Sequence, residues 1–225
     1  MTSENVVLNN MSAHDLLIVS FNMHGFNQGI GTVNDLICSS THSPDIILLQ
    51  EHWLTPANMS RFSEHISTHF AFGKSAMADR VCEGPLVGRP YGGTLILTKN
   101  NLRAVTECIV CDDRFVVLRV GNLLIANIYL PTVGVENRLL VIDGVLQEIW
   151  SWRLKYSDCK LIIAGDYNVD LEKHDGVANY NNNFLTTYSL SRCDVYFPRQ
   201  QQDTYVNETL GHRSRIDYFV CQHDM

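Results

Sequence analysis

The sequence has no apolar run long enough to span a bilayer, and its first ten residues hold no apolar signal-peptide segment. A membrane-spanning or secreted protein is therefore not expected, and an intracellular one is the default. A disulfide framework is also missing. The seven cysteines are odd in number and scattered, which suits reduced thiols in a cytosolic or nuclear setting. The single C-x-x-C, Cys108 to Cys111, has no second pair to complete a zinc site and sits in a strand-like run. Sequons at Asn10, Asn58 and Asn207 carry no weight without a secretory signal. There is no internal repeat, and no low-complexity tract beyond the asparagines at 181–183. Basic excess is absent as well: the formal net charge is −7 and charged residues are 18% of the chain. That argues against a coat protein holding nucleic acid by charge alone. It leaves room for an enzyme that gathers carboxylates around a divalent cation, because the bound cation reverses the local field.

What is present is core. With 225 residues, 45% of them hydrophobic, the chain suits one large domain over 1–225. Its centre is the run Leu161-Ile162-Ile163-Ala164-Gly165-Asp166-Tyr167-Asn168. A short apolar run bounded by glycine reads as a buried strand. It ends on a carboxylate and an amide two residues apart, which would point to one side if the strand continued. An Asx turn accounts for the same pair, since Asp and Asn both favour turns. The motif recurs, however. Residues 16–20 (LLIVS) form an apolar strand that leads to Asn22. Residues 45–50 (DIILLQ) form another, followed at once by Glu51. Acids and amides at neighbouring strand ends suit Mg2+ or Mn2+, which take oxygen ligands and keep several waters. Residues 123–130 (LLIANIYL) place Tyr129 near another strand end, as a rim tyrosine or as a hydrogen-bond donor to phosphate or bound water. Residues 215–220 read as a strand with Asp217 inside it, and a carboxylate there needs a partner, a histidine or a metal.

Between these strands the pattern predicts a helix over 29–40, a short helix over 57–65 started by Thr55-Pro56, and a strand over 70–74. A loop is expected over 76–89, then a strand over 94–98 whose preceding Gly92-Gly93 allows a turn or close backbone packing. Residues 102–130 read as antiparallel hairpins broken at Cys111-Asp112-Asp113 and Gly121-Asn122. An amphipathic helix follows over 136–156, with Trp150 deep in the core. A loop over 168–183, a helical turn over 184–190 and a short strand over 194–197 complete the series. Trp53 reads as a packing residue rather than a base-stacking platform.

In order, S-F-N at Asn22, L-L-Q-E at Glu51, N-I-Y-L-P at Tyr129, G-D-Y-N at Asp166 and Asn168, and S-R-I-D-Y at Asp217 resemble the motifs of the endonuclease/exonuclease/phosphatase superfamily. The Q-E-H-W-L and R-S-R-I-D-Y spellings look most like the apurinic-endonuclease-type domain of LINE-class non-LTR retrotransposons. The resemblance runs over about 16–220. It implies an α/β four-layer sandwich, two mainly antiparallel sheets face to face with helices outside. It implies a Mg2+ (or Mn2+) cofactor, a DNA substrate nicked by phosphodiester hydrolysis, a monomer acting in the nucleus, and a reverse transcriptase carried by the parent element. By the same resemblance Glu51 is the main metal ligand with Asn22 beside it. Asp166 aligns or deprotonates the attacking water, Asn168 holds the phosphate or metal-bound water, and Tyr129 bonds the scissile phosphate. Asp217 orients the family's catalytic histidine. That histidine belongs to a Ser-Asp-His motif one strand further on, which the 225 residues do not contain. His212 and His223 are poor substitutes, so a domain cut short of its last strand, with little or no nicking activity, is expected. A phosphatase of the same superfamily and a non-catalytic binding remnant of a transposon are the competing readings. Target preference would lie in the loops at 76–89, 168–183 and 200–211.

Overall fold

The computed structural model describes residues 16–39, 43–195, 203–209 and 211–222. A first sheet is built from β1 (Ile18–Asn22), β2 (Ile46–Gln50), β3 (His69–Lys74) and β4 (Thr94–Lys99), in the order β1-β2-β4-β3. β1 and β2 run parallel, and the other pairs are antiparallel. The second sheet takes β5 (Thr106–Cys111), β6 (Phe115–Val120), β7 (Leu123–Tyr129), β8 (Lys160–Asp166) and β9 (Leu190–Arg192). A small hairpin, β10 (Tyr205–Asn207) with β11 (His212–Ser214), stands apart before β12 (Asp217–Gln222) returns to that sheet. Its order is β5-β6-β7-β8-β12-β9, with β7 and β8 parallel.

Alternation along the strands explains the layers. Ile46 and Leu48 of β2 join Val116, Leu118, Ile125 and Ala164 in a core between the two sheets. Ile47 and Leu49, one residue out of phase, pack with Val33 and Phe26 of α1 (Phe26–Cys38). On the far side, Leu124, Ala126, Leu161 and Ile163 meet α4 and α5, the helices Arg138–Lys155 and Gly176–Thr187. Strands covered on both faces read as unbroken apolar runs, which is why they were legible in the sequence. The result is the expected four-layer α/β sandwich. Among the described residues no helix is long and apolar enough to cross a membrane.

Several expectations are corrected. The first helix begins at Phe26, whose ring packs edge-on to Phe62 at 5.0 Å. The helix expected over 57–65 splits into a 3-10 turn, Pro56–Asn58, and α2 (Arg61–His65). The loop expected at 76–89 contains α3 (Ala78–Glu83), which buries no residue and so leaves no periodic trace. The loop at 168–183 and the turn at 184–190 contain α5, capped by Asp175, whose carboxylate accepts from Val177 N and Ala178 N. Its buried stripe includes Asn181, which hides the apolar period. The strand at 194–197 is replaced by β9 and a 3-10 turn, Cys193–Val195; positions 196 and 197 lie outside the described residues. The strand at 215–220 starts at Asp217. In α4 the buried stripe is Ile142, Val145, Leu146 and Ile149, while Leu139, Leu140 and Leu154 are exposed. Trp150 is half-buried, stacked on Tyr188 at 4.2 Å, rather than deep in the core.

Candidate active site

Register alone gathers most of the site. Parallel β7 and β8 set Tyr129 opposite Asp166, and antiparallel β12 sets Asp217 opposite Asp166 from the other side. Three predicted residues thus lie in a row across the second sheet. In the first sheet Asn22 ends β1, paired with Gln50 of β2, and Glu51 follows. Asn22 joins the two sets: its Nδ2 donates to Glu51 Oε1 at 2.9 Å and to Asp166 Oδ2 at 3.0 Å. Its Oδ1 accepts from His24 N at 3.0 Å.

Asp166 and Asn168 satisfy both sequence readings. The Asx turn exists, since Asp166 Oδ1 accepts from Asn168 N at 2.8 Å. Asn168 has φ of 51°, so the strand does not continue through it, contrary to the extended geometry considered from the sequence. The pair still reaches one cleft of about 490 Å³, which Asn22, Glu51 and Asp217 also line. Asn168 Nδ2 donates to Leu130 O at 2.9 Å. Tyr129 opens onto an adjoining cavity beside Arg114, whose guanidinium lies 5.3 Å from the ring centre.

Burial, then the Asp217 charge, push the Asp166 carboxyl up to about 7, against hydrogen bonds from Asn168 and Asn22 that favour the anion; Glu51 adds a smaller push. Burial also raises Asp217, which a hydrogen bond from Thr204 opposes. The Tyr129 phenol is pushed above its ordinary range by burial and by the Glu51 and Asp166 charges, so it stays a neutral donor. Among the described residues, Thr204 is the side-chain partner of Asp217. His212 is exposed on β11, and His223 lies outside the described residues.

Three groups escaped the sequence reading. Trp53, expected as a packing residue, is half-buried at the site: its indole N–H donates to Glu51 Oε2 at 3.1 Å. Its placement directly after Glu51-His52 was the available signal. His52 is fully buried, with Nδ1 accepting from Leu54 N at 3.0 Å and Nε2 3.1 Å from Lys74 O, which requires the neutral Nε2–H tautomer. Burial pulls its pKa down to about 4, in keeping with that neutral form. A Cβ on Gly93 would lie 2.4 Å from this ring, so the glycine pair does serve close packing. Arg138 donates to Pro131 O at 2.8 Å and Asn168 O at 2.7 Å, pinning the loop after β8. Nothing in its local sequence marks it.

The site is a set of acids and amides gathered across one set of strand ends of a two-sheet α/β sandwich. Residues 19–225 match the model of the Endonuclease/Exonuclease/phosphatase family, and the chain belongs to that family. No curated protein matches the sequence significantly. Similar solved structures include the 3' phosphatase NExo from Neisseria, bound to a product DNA hairpin, with a TM-score of 0.68 and 14% identity over 92% of this chain and 87% of that one. The AP endonuclease LMAP from Leishmania major has a TM-score of 0.70 and 14% identity over 92% of this chain and 78% of that one. The endonuclease domain of TRAS1, a telomere-specific non-LTR retrotransposon, has a TM-score of 0.61 and 16% identity over 92% and 85%. At these identities the likeness establishes the fold.

The residues present fit a divalent cation of the magnesium type. Glu51 Oε1 and Asp166 Oδ2 converge on one amide N–H2, where partial positive charge stands between two acids. Among the described residues no three His, Cys, Asp or Glu side chains form a metal-holding group. Mg2+ is commonly held by one or two carboxylates and keeps several waters.

Proposed function

We propose that this chain is the DNA-nicking endonuclease domain of a retrotransposon, hydrolysing one phosphodiester with a divalent metal, Mg2+ or Mn2+. The observation that carries the reading is the Asn22 amide held between Glu51 and Asp166, one carboxylate from each sheet. Glu51 would hold the metal, with Asn22 turned so that its amide oxygen rather than its NH2 faces the cation, which would supply charge neutralisation on the phosphoryl oxygens and a lower pKa for water. Asp166, with a carboxyl near 7, is poised to take a proton from the attacking water close to neutral pH. Tyr129 donates its phenolic hydrogen to a phosphate oxygen, and the Asn168 amide orients the phosphate or the water. The Arg138 contacts keep Asn168 in register with Asp166. The DNA hairpin bound to NExo and the retrotransposon origin of TRAS1 support the substrate and the biological setting. A monomer acting in the nucleus, encoded beside a reverse transcriptase, completes the reading.

A second reading is a chain that binds DNA without cutting it. It is favoured by Asp217, whose side-chain partner among the described residues is Thr204. Nicking of supercoiled plasmid with Mg2+ or Mn2+, with Glu51→Ala and Asp166→Ala alongside, separates the two. Nicking that both variants lose supports the endonuclease. Salt-dependent binding without nicking by the folded chain moves the conclusion to the second reading. Release of a 3' phosphate without strand cleavage would make it a phosphatase.

A further inference from the structure

Next to the acid cleft lies a separate cavity of about 320 Å³, between the start of α1 and the segment after Glu51. Its walls are two arginine–aromatic layers. The Arg89 guanidinium lies 4.3 Å from the centre of the Trp53 ring. The Arg61 guanidinium lies 4.3 Å from that of Phe26, and its Nη2 donates to Asn27 Oδ1 at 2.9 Å. Gln28 and Asn58, whose Nδ2 donates to Thr55 Oγ1 at 3.0 Å, also line it, with no acidic residue in the lining. Two cations and no acid, in a chain of net charge −7, form a local site of opposite sign to the molecule. Trp53 is fixed in place. Its indole N–H is bonded to Glu51 Oε2, and a Cβ at Gly25 would stand 2.6 Å from its ring.

We propose that this cavity receives the base of a nucleotide flanking the scissile phosphate, which stacks on the Arg89–Trp53 plate while Arg61 meets a backbone phosphate. The inference rests on the endonuclease reading above and deepens it by naming a base-binding subsite. Four features of the cavity point to a nucleotide. The aromatic and guanidinium planes offer flat faces on which any base stacks. The amides can meet base edges. The positive charge answers the backbone. The Trp53–Glu51 bond makes the cavity wall continuous with the acid that would hold the metal. Arg89 and Trp53 therefore hold the base beside the cut by its face, whatever its identity.

The test uses the full chain labelled with 15N, titrated with a short thymidine oligonucleotide and with an abasic sugar-phosphate oligomer of equal charge. The Trp53 indole signal is identified by its loss in Trp53→Phe. The expected result is a shift of that signal with the thymidine oligomer, tighter binding than the abasic one by on the order of tenfold, and unmoved Trp150 and Trp152 signals. Arg89→Lys, which keeps the charge and loses the plane, should erase the tenfold difference. Equal effects of the two oligomers, or a difference that survives Arg89→Lys, would reduce the cavity to a phosphate contact and overturn the proposal. Duplex DNA binding with no movement of Trp53 would overturn the cavity alone. Absence of all DNA binding would overturn the endonuclease reading together with it.

Discussion

Asp166 is buried where folding disfavours it and the proposed chemistry needs it. Its carboxylate has Asp217 opposite it in register and Glu51 bound to the same amide, so three acids share one small region. Removing one charge should therefore relieve the fold while disabling the site. Asp166→Asn should cut nicking by ~10²–10⁴ and, in chelator at pH 8, should not lower the thermal midpoint. A drop in both would mean that Asp166 is chiefly structural. A different residue sets a pH limit far from the cleft. His69 is buried, with Nε2 3.0 Å from Pro44 O and Nδ1 2.9 Å from Thr68 Oγ1. Burial lowers its pKa, and the nearby Lys99 charge lowers it further, against the Pro44 bond. Between its folded pKa and the ordinary value near 6.5, the unfolded chain binds the extra proton, so stability contributed above that value is lost as pH falls through the window. The stability difference between the parent and His69→Gln, measured by denaturant unfolding at each pH, should shrink from pH 7 towards pH 5; the absolute trend also carries His52, of the same sign, and the raised carboxyl of Asp166, of the opposite sign. The site residues were legible because each ends an apolar strand, where a lone carboxylate or amide stands out. Trp53 and Arg138 were not, since their roles depend on partners distant in sequence or on the turn at Glu51, whose φ of 53° no local pattern announces.

The same division appears among the elements. β2, β7 and β8 announced themselves because both faces are covered. The helices α3 and α5 did not, one because it buries nothing and the other because its buried stripe is broken by Asn181. Asp175 was the missed start signal of α5, and its two cap bonds give it measurable weight. Asp175→Ala should cost about 1 kcal/mol in denaturant unfolding. A harsher limit acts in β8. Gly165 has φ of 135°, and a Cβ there would lie 2.2 Å from the backbone oxygen of Ile128 on the parallel neighbour β7. Neither the conformation nor the contact admits a side chain. Gly165→Ala should thus destabilise by at least about 2 kcal/mol and displace Asp166, so that activity falls even at temperatures where the variant is folded. A variant that keeps parental stability would show that the strand can slide away from Ile128 without cost.

At the scale of the whole molecule the site straddles two sheets. Glu51 comes from one and Asp166 from the other, so their separation depends on what fixes the sheets together. The apolar core between them is non-directional and tolerates small slides. Asn127 does not. It lies fully buried on β7, donates Nδ2 to Leu49 O and Leu95 O at 2.9 Å each, and accepts Gln50 Nε2 at 2.6 Å. One side chain of the second sheet thereby bonds two strands of the first, at the residue before Glu51. Asn127→Leu leaves three buried polar groups without that partner, each costing about 1–3 kcal/mol. The expected loss is therefore about 3 kcal/mol or more. Stability alone does not establish a clamp, since any large core change lowers it. The discriminating comparison is Leu118→Ala, a truncation in the same inter-sheet layer, expected to cost roughly 2–5 kcal/mol by cavity formation. If Asn127 sets the distance between the carboxylates, its variant should weaken Mg2+ or Mn2+ binding, read by calorimetry on the folded protein. Leu118→Ala should leave the affinity near the parental value. Equal affinity in both variants would mean that the apolar layer alone holds the sheets in register and that the polar contacts of Asn127 serve only to satisfy its own burial.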